Sequence, residues 1–198
     1  MLELTSKNAF LVLKKYLEEK NPDKFEHSIR VAKTSKILAK KWNVSVEDAV
    51  IAALLHDIGK SLTRSEMLAF VSMKDLPIYD FEIWDNLAAL HGRVSAALFE
   101  SEFINTDSKR FNSISHAISS HVAGNENMSD LDKIIFIADN IEPDRCNSML
   151  YLIESGQIST PDECIKKIIS EKIKKSNEKN RAYNPFLEAT LDSFDDER

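Results

Sequence analysis

The segment Ala49-Val50-Ile51-Ala52-Ala53-Leu54-Leu55 is apolar on nearly every side of a helix, and it runs directly into His56-Asp57. A helix with no polar face has to be covered on all sides, so this one predicts the central, most buried element of the fold. Its neighbours supply the cover. Residues 5–20 form an amphipathic helix with Phe10, Leu13 and Leu17 on one face, and residues 24–42 form a second that carries His27, Val31, Ile37 and Leu38 inward.

Further helices follow from capping signals. Ser45 with Asp48, Thr63 with Glu66, and Ser129 with Asp132 have the spacing of capping boxes, and Thr160-Pro161-Asp162-Glu163 adds a first-turn proline. Gly59 is placed to end the central helix, Pro143 to end the one through Ile134–Ala138, and Glu178–Lys179 closes the last long one. Helical pattern also covers residues 81–102, with a break near His91-Gly92, and residues 108–120. The tail from Asp195 to Arg198 is expected to fray. Only 4 glycines and 5 prolines interrupt a chain that is 43% hydrophobic. With no strand of alternating pattern, the expectation is an all-α single domain over residues 1–198. Its core covers about residues 24–145, and C-terminal helices over about 146–192 complete a pocket.

The net charge of −6 gives no basic surface for DNA or RNA. An anionic ligand would have to be gripped by local cations. Two cysteines, Cys146 and Cys164, make neither a metal motif nor a disulfide framework. The first fifteen residues lack the apolar block of a signal peptide, and no run reaches membrane-span length. These features predict a cytoplasmic protein without a membrane partner.

The polar residues that interrupt apolar runs carry the chemistry. His56-Asp57 closes the central helix, His27 sits on the preceding helix, and Asp139 ends Ile134-Ile135-Phe136-Ile137-Ala138. A carboxylate beside an imidazole at the edge of a core is costly unless paired or metal-bound. A helix cap or a buried His–Asp hydrogen bond would also serve. Two imidazoles and two carboxylates suit Fe, Mn, Co, Ni or Zn better than Mg or Ca alone.

The order His27, His56-Asp57, Asp139 resembles the HD-domain superfamily of metal-dependent phosphohydrolases, whose signature is close to Ala52–Lys60 here. Leu90-His91-Gly92, Ala117-Ile118-x-x-His121-x-x-Gly124, Met128-Ser129 and Ile137–Arg145 further resemble the bacterial symmetrical diadenosine tetraphosphate hydrolases of that superfamily. Two departures stand out. Lys24 occupies a position where that family usually has arginine, and Val122-Ala123 occupy one where it usually has two threonines.

The resemblance implies an all-helical fold and a divalent transition metal, iron first, held by His27, His56, Asp57 and Asp139. It implies that Asp57 and Asp139 also orient the attacking water, and that Lys60, His91, His121 and Arg145 meet the phosphates, with Lys60 and His91 in the catalytic set. Substrate contacts extend to His27 and Asp139 and to a C-terminal segment containing Tyr183 and Asn184, where Tyr183 or Phe186 would stack on a base or pack on the core. His116, five residues before His121, points to another face of the helix and is assigned a structural role; Arg93 reads as a surface charge. The implied reaction is symmetrical cleavage of diadenosine tetraphosphate to two ADP. Two alternatives stay open: another HD nucleotide phosphohydrolase, such as a nucleotidase or phosphodiesterase, and a non-catalytic metal-dependent nucleotide sensor. A homodimer is compatible with the sequence.

Overall fold

The apolar segment is the axis of the molecule. In the computed structural model, which describes residues 1–79, 87–180 and 182–194, it forms a helix over Val46–Leu55 whose residues Ala49, Ile51, Ala52, Ala53 and Leu55 have no exposed surface. Each fully buried Leu or Ile contributes roughly 2 kcal/mol through lost apolar contact with water. This helix is α3. Before it come α1 (Ser6–Leu13), which loosens into a π-helical turn at Lys14–Glu18, and α2 (Pro22–Lys41). After it come a 3-10 turn at Ile58–Ser61, α4 (Arg64–Met73), a second 3-10 turn at Leu87–Leu90, and α5 (His91–Glu102). The chain continues through α6 (Ser108–Ser120), α7 (Asp130–Ile141), α8 (Pro143–Glu154), α9 (Pro161–Glu178) and α10 (Phe186–Ser193).

Helices α1, α2, α6 and α7 enclose α3, and α9 packs on the far side of α7. The fold is all-α, as predicted. Among the described residues there is no strand, only an isolated parallel bridge between Leu2 and Phe103. No helix among them is long and apolar enough to cross a membrane.

The caps at Thr63, Ser129 and Thr160 are reciprocal capping boxes, whereas Ser45 only accepts from the Asp48 amide. Several predicted boundaries and faces shift. The inner face of α1 is Ala9, Val12, Leu13 and Leu17, and Phe10 is 39% exposed at its margin against Phe25. Ile37, expected inward, is 41% exposed because α2 turns Leu38 and Ala39 to the core instead. Helix α2 starts at Pro22 rather than at residue 24, because proline suits the first-turn position, where its missing N–H costs nothing. Helix α3 ends at Leu55 rather than at Gly59, because His56 turns its ring back onto the Ala53 carbonyl and Asp57 leaves helical geometry. Pro143 ends α7 and at once begins α8, with Glu142 as the cap between them. Residues 81–86 of the helix predicted over 81–102, residue 80 before it, Arg181, and the tail expected to fray at 195–198 lie outside the described residues.

Candidate metal centre

Four helix ends and one helix face meet at the end of α3. His27 comes from the first half of α2, His56 and Asp57 from the end of α3, His91 from the start of α5, His121 from the end of α6, and Asp139 from the last turn of α7. All six are buried.

Two of the histidines are held by the same device. The ring Nδ1 of His56 lies 2.7 Å from the Ala53 carbonyl, and that of His121 lies 2.7 Å from the Ile118 carbonyl. A carbonyl only accepts, so each Nδ1 carries its proton and donates it. The bond satisfies an orphan carbonyl of the helix end and fixes the ring, aiming Nε2 into the centre. His27 is fixed by a carboxylate instead, with Nδ1 3.1 Å from Glu142 Oε1.

The inward atoms then crowd together. His27 Nε2 lies 2.9 Å from Asp139 Oδ1 and 3.8 Å from Asp57 Oδ2. His56 Nε2 lies 3.5 Å from Asp57 Oδ2 and 3.4 Å from Asp139 Oδ1. On the other side, Asp57 Oδ1 is 3.1 Å from His91 Nε2 and 3.5 Å from His121 Nε2, and those two nitrogens are 3.0 Å apart. Three overlapping groups have donor atoms within 4.8 Å of one another: His27, His56 and Asp57; His56, His121 and Asp139; Asp57, His91 and His121. Asp57 belongs to two of them, facing a different pair of histidines with each oxygen.

These atoms fit a metal ion. His56 Nε2 and Asp57 Oδ1 are fully buried and make no well-aligned hydrogen bond, although Asp139 Oδ1 lies 3.4 Å from the first and the His91 and His121 nitrogens lie 3.1 and 3.5 Å from the second. Buried polar atoms are almost always satisfied, so two orphans side by side in a nest of acceptors call for a cation. The electrostatics agree. Burial pushes the Asp57 carboxyl up, yet the His56 charge and the neighbouring His121 and His91 rings hold it well below the usual range. Asp139 is likewise held low against burial by His27 and His56. Burial pulls His56 down, but Asp57 and Asp139 outweigh it and the ring is raised. The carboxylates thus demand positive charge here, whether a proton on His56 or an ion between the side chains. His121 is pulled down to about 4, chiefly by burial, which keeps its ring neutral and able to ligate.

Cations ring the centre in an otherwise acidic chain. Lys60 Nζ lies 2.8 Å from Asp57 Oδ2, and Lys24 Nζ lies 3.9 Å from it. Arg145, in the first turn of α8, places Nη1 3.1 Å from Asp139 Oδ2 and Nη2 3.4 Å from His27 Nε2. The structure therefore gathers His27, His56, Asp57, Lys60, His91, His121, Asp139 and Arg145 in one place. His116 stays outside, with Nδ1 3.0 Å from both Asp132 oxygens. Tyr183 and Asn184 make local contacts, the Tyr183 hydroxyl to Glu188 and the Asn184 side chain to the Phe186 amide at 3.0 Å. The Phe186 ring rests edge-on against Tyr79, with centroids 5.0 Å apart, and Arg93 lies over the other partner of that pair, 5.0 Å from the Tyr79 centroid.

Two neighbours of the centre carry no expectation from sequence as site groups. Glu142 accepts from His27 and from Arg30 Nε at 2.8 Å, so it ties α2 to the α7–α8 junction. Its signal was its place three residues after Asp139, just past the end of the same helix. Lys24 precedes His27 by almost one turn, which sets both on one face of α2.

The comparisons with known proteins agree with this geometry. The HD domain family model matches residues 25–144. The chain is 36% identical over 137 residues to the symmetrical bis(5'-nucleosyl)-tetraphosphatase of Staphylococcus aureus, a match spanning 67% of this chain and 66% of that protein. It is 29% identical over 146 residues to the protein of the same name from Bacillus subtilis, 72% of each chain. It is also similar to the crystal structure of a predicted HD superfamily hydrolase involved in NAD metabolism from Clostridium acetobutylicum. That likeness has a TM-score of 0.81 and 25% identity, and covers 97% of both chains. With more than half of its length matched by the family model and its His and Asp side chains gathered at one centre, the chain belongs to the HD-domain family of phosphohydrolases.

Proposed function

We propose that this protein hydrolyses the central phosphoanhydride of diadenosine tetraphosphate, giving two ADP. The observation that carries the reading is the pair of orphaned buried atoms, His56 Nε2 and Asp57 Oδ1, inside a ring of Lys24, Lys60 and Arg145. The names of the staphylococcal and Bacillus relatives support the choice of substrate.

In this reading His27, His56, Asp57 and Asp139 hold a divalent transition metal, with iron the first choice. Such an ion would polarise a phosphoryl oxygen and lower the pKa of bound water toward neutral. The chain's own groups do the rest. Asp57 and Asp139 accept the proton side of the attacking water and orient it toward phosphorus. His91 and His121, whose Nε2 atoms face Asp57 Oδ1, stand beside the phosphate. Lys60, Lys24 and Arg145 leave their carboxylate partners in part to meet phosphate oxygens and offset charge as the bond breaks. Arg145 suits this role because its fork can hold two oxygens at once. Water adds to one central phosphorus, the bridging P–O bond breaks, and the second ADP leaves.

The test is product analysis with anaerobically purified, iron- or manganese-loaded protein in isotopically labelled water. ADP alone, with one label per pair, is the expected result. ATP with AMP as main products, or no turnover by fully loaded protein, overturns the assignment.

A further inference from the structure

On the other side of Arg145 from the metal centre, a cleft of about 220 Å³ opens between α7, α8 and α9. Arg145, Lys172 and Lys175 line it, with Met149 and Ile168 on its apolar wall and Glu171 as its acidic member. Arg145 is the shared wall, since its guanidinium also reaches Asp139.

Lys172 is the unusual group. Its Nζ lies 5.2 Å from the centroid of the Phe136 ring, and it makes no hydrogen bond and no ion pair with any described residue. Burial pulls its ammonium down to about 8, Asp139 opposes that shift, and Arg145 adds to it. An ammonium partly withdrawn from water beside another cation, with no carboxylate in hydrogen-bonding reach among the described residues, is a cost to the fold that Asp139 offsets only in part. A ligand that brings negative charge removes the penalty, so the cleft is arranged for an anion and not for a neutral group.

We propose that this cleft receives the phosphates of the substrate half that lies beyond the bond being cut, with Lys172 as the interior cation, Arg145 as the link to the metal centre and the exposed Lys175 at the mouth. The inference rests on the proposed function, because only a substrate with a long phosphate chain reaches both sides of Arg145. Binding energy gained there, away from the reacting phosphorus, holds the chain in line for attack.

The test uses metal-loaded protein and two probes, inorganic tripolyphosphate for binding and diadenosine tetraphosphate for turnover. Lys172→Met should weaken tripolyphosphate binding about tenfold and raise KM for the dinucleotide by a similar factor, the size expected for one charged contact to phosphate. Metal content should stay the same and the melting temperature should hold or rise. Lys172→Arg should stay within about threefold of the parent, and Lys174→Met, whose partner is Glu178 on the same helix, should behave as the parent. Tripolyphosphate affinity unchanged in Lys172→Met overturns the proposal. The two readings fail separately. A protein that cleaves no dinucleotide but binds tripolyphosphate through Lys172 keeps the cleft and loses the proposed reaction. Symmetrical cleavage with Lys172-independent binding does the reverse.

Discussion

The Nδ1 of His27 lies 3.1 Å from Oε1 of Glu142, a carboxylate that is itself held by Arg30 at 2.8 Å and by the Asp144 amide at 3.0 Å. One buried side chain thereby orients a candidate ligand on α2, caps α8, and takes up the charge of Arg30. Burial pushes Glu142 up, but Arg30, the Asp144 amide and His27 together hold it below its usual value. It stays an anion and pulls proton density off the far side of the His27 ring, which strengthens Nε2 as a donor to a cation.

Glu142→Ala should therefore lower metal affinity by about 10- to 100-fold, the range for removing such an outer partner. Glu142→Gln keeps one accepting oxygen and should recover part of that loss. Affinity is read by competition with a metal-sensitive dye. Equal affinity in all three proteins would mean that Glu142 only caps α8.

Metal removal should act on stability as well as on turnover. An ion bound only by the folded state, present at about a hundred times its dissociation constant, adds about 2.7 kcal/mol. For a domain of this size that is a fall of about 5–10 °C in melting temperature on chelation. His56→Ala should melt at the same temperature with and without chelator. A parent protein whose melting curve ignores complete chelation would show that the centre does not hold an ion in solution.

How much of this arrangement was visible beforehand differs from residue to residue, and the reasons are physical. The burial of α3 was legible because a helix without a polar side has one solution. His27, His56, Asp57 and Asp139 were legible as polar groups breaking apolar runs, and the structure does bring them together. Phe10 and Ile37 were misplaced because spacing defines the face of a helix but leaves its rotation open by one residue, about 100°. Glu142 was hidden by its second role, since a glutamate before proline reads as a cap. Lys172 was hidden among Lys166, Lys167, Lys174 and Lys175, and nothing in a 3.6-residue period says which lysine of such a helix a neighbour will cover. The early end of α3 depended on a side-chain bond from His56 to its own helix, which competes with the next turn only once the ring is held in place.

His116 gives a control for pH dependence away from the centre. Its ring is raised above the ordinary 6.5, first by the bond to Asp132, with burial opposing. A histidine raised in the folded state contributes stability that is complete below the unfolded value near 6.5 and is lost as pH rises through the folded one. The side chain is 53% exposed, so solvent screens the pair and the contribution is that of a surface pair, roughly 0.2–1 kcal/mol. His116→Ala should thus destabilise by that amount near pH 5.5 and by less near pH 9 in urea unfolding, with turnover unchanged. A larger loss at the alkaline end would contradict the pairing.

Gly59 packs tightly against the start of α5, beside the centre. The 3-10 turn after Asp57 leans on the first turn of α5, where the Gly59 amide donates to Ser95 Oγ at 2.8 Å. A Cβ added at Gly59 would stand 2.7 Å from the His91 carbonyl oxygen and 3.1 Å from the Ser95 amide. Both are backbone atoms of a buried helix start, so they cannot swing aside as a flexible side chain would. Gly59→Ala must push α5 outward, and His91 moves with it, away from Asp57 Oδ1. The overpacking should cost about 1–3 kcal/mol of stability. Turnover should fall further than the loss of folded protein accounts for. Ser95→Ala separates the two effects, because it removes the hydrogen bond, worth about 1 kcal/mol, without forcing the backbones apart. Melting curves and turnover measured on both variants decide the matter. A Gly59→Ala protein as stable and as active as the parent would show that α5 can yield without disturbing the centre, and that the position of His91 is not set by this contact.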